Sequence, residues 1–287
     1  MIKRLTMWHA RAGVPRDEAV HHWLSSHVPL VVAVPGVQRY VQNQCVRERG
    51  RKMRTEGEGP DRELPAEVVA GQAVYNRATL AVYDVAVLGL SCRLLWRCPK
   101  ADMLAGYDRN VGANHLELGV GTAYFLDRCR FPGPRPHLTL VDLNPTVLTG
   151  AAGRISRYQP RVIQANVLEP LAVPAGAYDS VGMNFLLHCL PGDWEAKGMV
   201  FSNAATAVRP GGRVFGSTIL ANGVRTTAPA RALMRLYNSR GIFHNADDDL
   251  AGLRAELAGR FVDYRLTVRG CVALFEARTA PHASKTS

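Results

Sequence analysis

The chain has no C-x-x-C pair. Its six cysteines (Cys45, Cys92, Cys98, Cys129, Cys189 and Cys271) are scattered, a spacing that suits neither a zinc site nor a disulfide framework and fits reduced thiols. Long apolar runs are also missing. Nowhere do about 18 apolar residues follow one another, so no membrane-spanning helix is expected. The apolar start is broken by Trp8-His9-Ala10-Arg11, too early for a secretory leader. These absences point to a soluble, cytoplasmic protein. Lysine is scarce, five against thirty arginines, yet the formal net charge is +11. That excess is spread along the chain, with Arg47-Glu-Arg-Gly-Arg-Lys-Met-Arg54 as its single basic cluster. Nucleic-acid binders gather charge on one stripe and interleave aromatics, so a nucleic-acid partner is not expected. No metal is expected either: Asp247-Asp-Asp249 reads as a helix start, where acids are stabilised.

What is present is enough apolar material, 47% of 287 residues, for one large α/β domain with an appendage. Residues 1–45 read strand–helix–strand, with Pro15-Arg-Asp-Glu opening the helix and Pro35-Gly36 turning the chain. Residues 46–72 are charged, carry Gly57, Gly59, Pro60 and Pro65, and read as a linker. From 73 to 110 a helical apolar pattern, broken near Pro99, predicts a cap on the next domain. Residues 111–278 alternate apolar runs with helical stretches, the pattern of a parallel sheet with crossovers, and 279–287 form a tail. The strand candidates are His115–Leu118, Leu138–Asp142, Arg161–Ala165, Ser180–Asn184, Arg213–Ile219, Phe261–Val268 and Cys271–Ala277. The last two are joined only by Arg269-Gly270, which permits an antiparallel hairpin and no crossover, so one strand is reversed.

The sharpest motif is His115-Leu-Glu-Leu-Gly-Val-Gly-Thr-Ala123. A strand ends at Leu118, Gly119 permits a tight turn, and Gly121 lets a ligand approach the backbone ahead of a helix. Glu117 stands where a carboxylate could meet an ammonium group. Asp142, 21 residues after Gly121, ends the second strand, where an acid can take both hydroxyls of a ribose. Tyr124 occupies the place of the third glycine of a dinucleotide fingerprint, which argues against a cradled pyrophosphate.

With these residues, Tyr107 to Ala277 resembles a class I S-adenosylmethionine-dependent methyltransferase, whose Rossmann-like sheet has seven strands and a reversed last strand. Glu117, Gly119, Gly121 and Ala123 match its first motif, with alanine for the third glycine. The resemblance gives Glu117 to the methionine amino end of S-adenosylmethionine and Asp142 to the ribose. It gives Asn166 to the adenine edge, with Leu143 and Val167 flanking the ring. Asn184 would sit beside the cofactor, and Tyr107 would reach over it. The run Val208-Arg-Pro-Gly-Gly-Arg-Val-Phe-Gly matches the family's helix–turn–strand before its fifth strand. The implied activity is methylation of a small molecule by direct in-line transfer, with a place in secondary metabolism. Two alternatives stay open: binding of the cofactor with a different reaction such as a cyclisation, and methylation of RNA or protein. The latter is weakened by Asn184-Phe-Leu-Leu standing where an Asn/Asp-Pro-Pro-Tyr tetrad would be.

At the reacting end, His188 is the candidate general base, because an unperturbed imidazole titrates near neutrality. Tyr237, Asn238, Phe243, His244 and Asn245 are candidates for the substrate pocket, since they mix aromatics and amides in a segment between helices. The opening segment has its own resemblance. Trp23, His27 and Pro29 match an EthD-type pattern, a ferredoxin-like unit that typically pairs as a dimer, so a homodimer is left open. The match stops at about Cys45.

Overall fold

The computed structural model describes residues 92–281. The EthD-like residues Trp23, His27 and Pro29, the linker and most of the helical cap lie outside the described residues.

Seven strands form one sheet: β1 (Asn114–Leu118), β2 (His137–Asp142), β3 (Arg161–Gln164), β4 (Tyr178–Asn184), β5 (Val208–Ile219), β6 (Asp263–Arg269) and β7 (Val272–Arg278). Their order is β3-β2-β1-β4-β5-β7-β6. The first five pair in parallel, and β7 inserts antiparallel between β5 and β6. The hairpin turns at Gly270, whose φ of +60° glycine adopts freely, and a Cβ there would stand 2.1 Å from the Trp96 carbonyl oxygen.

Helices cover both faces, because each strand buries alternate residues on opposite sides. One face packs α1 (Cys92–Leu94), α2 (Lys100–Asn110), α3 (Tyr124–Arg128), α4 (Pro145–Arg154) and α6 (Ala228–Ser239), through Met103, Tyr107, Leu126, Val147, Leu148 and Met234. The other packs α5 (Trp194–Ala207) and α7 (Leu250–Arg260), through Val200, Phe201, Ala204, Leu253 and Leu257. Sequence-encoded caps begin four of these helices, with Asp193 accepting from the Ala196 amide at the start of α5. Asn144 accepts from the Thr146 and Val147 amides, Thr227 from Ala230, and Asp249 from Gly252. Asp249 is therefore a helix cap, as read from the sequence, and no cluster of metal-ligating side chains is present among the described residues.

Two local features differ from the sequence reading. β5 starts at Val208, ahead of the expected Arg213, since Tyr178 pairs with Val208 and a register shift then brings Ser180 opposite Arg213. Ala123 is left-handed at φ +54°, following Gly119 at +66° and Gly121 at +53°. A glycine at that position would therefore relieve backbone strain, of about 1–2 kcal/mol for a residue with a side chain.

Candidate active site

The site begins with the alternation of β1. Leu116 and Leu118 enter one core, which turns His115 and Glu117 to the other face. Parallel pairing puts Ser180 opposite His115 and Gly182 opposite Glu117, and on the next strand Ser217 opposite Asn184. Side chains of three adjacent strands thus form a polar row beneath α2, in an otherwise apolar interior.

Every member of that row has a partner. Tyr107 Oη, from α2, donates to Glu117 Oε1 at 2.5 Å, and His115 Nε2 lies 2.8 Å from Glu117 Oε2. His115 Nδ1 is 2.8 Å from Ser180 Oγ, which also accepts the Gly112 amide at 2.8 Å. Ser217 Oγ donates to Asn184 Oδ1 at 2.7 Å, and the Asn184 amide bonds the Tyr107 hydroxyl. Burial, followed by the Glu117 charge, holds the Tyr107 phenol well above its ordinary value, so Tyr107 remains a donor. Glu117 is 3% exposed, and that remainder belongs to a cavity it lines.

The cavity opens at the carboxyl ends of β1, β2 and β4. It gathers Tyr107, Glu117, Gly119, Gly121, Asp142, Leu143, Asn166, Val167 and Asn184. A Cβ at Gly121 would meet nothing within 4 Å, so the backbone faces open space there. Gly119 is different: a Cβ would lie 2.6 Å from Leu186 Cδ1. Asp142 accepts the Asn144 amide at 3.0 Å, with the Gly121, Leu143 and Val120 amides also turned to it. Burial nevertheless pushes its carboxyl up to about 6. The Asn166 amide is engaged within its own loop, accepting from the Leu168 amide at 3.1 Å and donating to Glu169 at 3.3 Å. Its reach to an adenine edge is correspondingly reduced.

The sequence reading overlooked the apolar end of the cavity, formed by Tyr124, Phe125, Phe185, Leu186, Leu190, Pro191 and Ile242. Phe185 sits at φ +55°, strained for a bulky residue, with its amide held by the Ser217 carbonyl at 2.8 Å. Cys189 also lines this end, but burial pushes its thiol up to about 12, so it is no thiolate nucleophile.

The structure places His188, the candidate base, away from the cavity. It is 3% exposed, lies off the cavity lining, and its ring packs against Phe243 at 4.5 Å. The Ile219 amide, which can only donate, points at His188 Nδ1 at 3.3 Å, so the hydrogen of the neutral ring is on Nε2. Burial, ahead of the Lys197 charge, lowers its pKa to about 3. Its Nδ1 lone pair is engaged by the Ile219 amide within the fold.

The expected substrate residues likewise bond and pack among themselves. Asn238 Nδ2 donates to Asn245 Oδ1 at 2.8 Å, and the Asn245 amide returns a bond to Asn238 Oδ1 at 3.1 Å. Phe243 packs against Tyr237 at 4.9 Å, and the His244 amide donates to the His188 carbonyl at 2.8 Å. None of Tyr237, Asn238, Phe243, His244 and Asn245 lines the cavity; their neighbour Ile242 does. Behind the loop, Lys197 is fully buried, 2.6 Å from Asp248 Oδ1 and 2.8 Å from the His244 carbonyl. Burial lowers the Lys197 pKa and raises that of Asp248, and in each case it outweighs the attraction of the partner.

Comparison with known proteins decides the family. A methyltransferase domain model matches residues 116–214. Demethylluteothin O-methyltransferase from Streptomyces thioluteus is 47% identical over 219 residues, 76% of this chain and 95% of that protein. The chain belongs to the methyltransferases. A second relative of this methyltransferase, the physcion biosynthesis cluster O-methyltransferase from Aspergillus chevalieri, is 38% identical, over 72% of this chain and 94% of that one. Among solved structures, Haemonchus contortus phosphoethanolamine N-methyltransferase 2, in complex with phosphomonomethylethanolamine and S-adenosylhomocysteine, superposes with a TM-score of 0.57 at 13% identity. It covers 76% of this methyltransferase and 61% of that chain, a likeness of fold.

Proposed function

We propose that the chain uses S-adenosylmethionine to methylate a hydroxyl oxygen of a small molecule in secondary metabolism. The observation that carries this reading is the cavity in which Glu117 and Asp142, at the ends of adjacent strands, face one space across Gly121. The two O-methyltransferase relatives support the choice of oxygen. The residues present fit the cofactor. Asp142 offers a carboxylate for two ribose hydroxyls, Gly121 leaves the backbone bare, Leu143 and Val167 give apolar flanks, and Glu117 offers a negative group for the amino end.

When bound, the cofactor supplies a methyl group on a positively charged sulfur, ready for attack by an oxygen lone pair. The protein's part is to orient and to exclude water. Phe185, Leu186, Leu190 and Ile242 form an apolar wall against which a substrate ring can pack, and Asn184 is fixed by Ser217 at the mouth of β4. Transfer of labelled methyl from S-adenosylmethionine to hydroxylated aromatic substrates, with S-adenosylhomocysteine formed in equal amount, tests the reaction. Binding with no S-adenosylhomocysteine formed from any such substrate would overturn it.

Two outcomes concern Asp142. Asp142→Ala is expected to weaken cofactor binding by roughly 1.5–3 kcal/mol, the value of hydrogen bonds to a charged acceptor. Its raised pKa adds a pH dependence with a definite sign. Above about 6 the ionised carboxylate accepts from both ribose hydroxyls; as pH falls through about 6 it gains a proton and loses acceptor capacity, so affinity drops. Calorimetric titration between pH 5 and 8 should show that drop in the native protein and a flatter profile in Asp142→Asn.

A further inference from the structure

The strand row contains a histidine that the proposed reaction does not use. His115 is fully buried, its ring stacked on Phe215 at 5.8 Å, yet both nitrogens are engaged. The hydrogen-bond directions are forced. The Gly112 amide donates to Ser180 Oγ, which leaves that hydroxyl one hydrogen to give. The Glu117 carboxylate has none, so in the neutral ring Nε2 carries the hydrogen toward Glu117 and Nδ1 accepts from Ser180. Tyr107 occupies the other carboxylate oxygen from the opposite side, and Asn184 and Ser217 hold Tyr107 in turn. Each oxygen of Glu117 thus accepts one internal hydrogen, and the lone pairs that remain are available to the cavity.

Resting on the cofactor reading above, the geometry points to His115 as a positioning residue: through Ser180 it keeps one tautomer, and through Nε2–H it aims the Glu117 carboxylate at the amino end of the cofactor's methionine. Ser180 acts one step further back. This role is distinct from packing. An apolar ring in place of His115 would keep the contact with Phe215 and the edge contact with Tyr107, and would lose the two hydrogen bonds, to Ser180 and to the carboxylate, that set its direction.

Two ligands separate the roles. S-adenosylhomocysteine carries the amino acid end, while methylthioadenosine has the same adenosine and no amino acid. Calorimetry on the full chain should show native binding of both. His115→Phe is expected to weaken S-adenosylhomocysteine roughly 10- to 100-fold, the loss of a charge-assisted hydrogen bond, and to leave methylthioadenosine within about 2-fold. His115→Gln, which restores an N–H donor, should recover most of the lost affinity, and Ser180→Ala should give a smaller loss with the same ligand preference. Thermal melting of each variant runs alongside. Equal loss of both ligands in His115→Phe, or an unchanged S-adenosylhomocysteine affinity, would overturn the positioning role. A native protein that binds neither ligand would instead overturn the cofactor reading on which it rests.

Discussion

Gly182→Ala is expected to weaken cofactor binding on the order of 100-fold while adding only one methyl group. Gly182 lies opposite Glu117 in the parallel ladder, and its Cβ would stand 2.5 Å from Glu117 Oε2 and 3.1 Å from His115 Cε1. A free carboxylate would swing aside. This one is pinned by Tyr107 on one oxygen and His115 on the other, so displacement breaks charge-assisted bonds worth about 1.5–3 kcal/mol each. The internal loss falls on stability, while the misdirected bond to the ligand alone amounts to on the order of 100-fold in affinity. Titration with S-adenosylhomocysteine reads the effect. Gly106→Ala, in α2 with nothing near its Cβ, is the matched control and should bind normally. An alanine at 182 that leaves affinity within a few-fold would mean the carboxylate is mobile, contrary to the tight row described above.

Lys197→Met is the change expected to harm stability most. It removes the ammonium that bonds Asp248 Oδ1 in the apolar space between α5 and the loop before α7, where Asp248 Oδ2 already has no hydrogen-bond partner among the described residues. Stripping one member from a buried pair leaves an uncompensated charge and costs about 3–5 kcal/mol. For a domain of this size that lowers the melting temperature by roughly 6–20 °C. Because burial opposes the charge on both partners, replacing the two together should be far milder: Lys197→Met/Asp248→Leu is expected to melt closer to the native protein than either single variant. The two melting temperatures check this, and a Lys197→Met variant melting within a degree or two of native would refute it.

The sheet was legible because strand signals are local. Apolar runs bounded by turn residues placed all seven strands within a residue or two, except the start of β5, where Pro210 and two glycines read as a turn while tertiary pairing kept Val208 in the ladder. Eight of the nine expected cofactor residues lie at or just past the carboxyl ends of strands, where the motif and the family resemblance placed them, and Tyr107 comes from α2; all nine line the cavity. That His188 and the five expected pocket residues lie off the cavity lining was not legible, because a polar side chain in a loop looks the same whether it faces a ligand or a backbone amide 31 residues away. The Asn238–Asn245 exchange and the Ile219-to-His188 bond exist only once the chain has folded. Two signals were present and unused. His115 shares the alternating face of Glu117 two residues on, and Lys197 lies in a helix whose buried face is otherwise uncharged.

The placement of β7 between β5 and β6 bears on how the chain is completed during synthesis, since residues leave the ribosome in sequence order. By Ile219 the five parallel strands, with both cavity acids, have been made, but β5 has a bare flank where Phe275, Ala273 and Ala277 will later pack. β6 emerges next and finds no neighbour, because the strand it pairs with is encoded after it. Only when Val272–Arg278 arrives do both strands gain a partner at once, sealing the flank in a single step. A nascent chain halted before Val272 would hold a nearly finished cavity beside an open, adhesive strand, so the seven residues of β7 decide whether the flank of the sheet is closed.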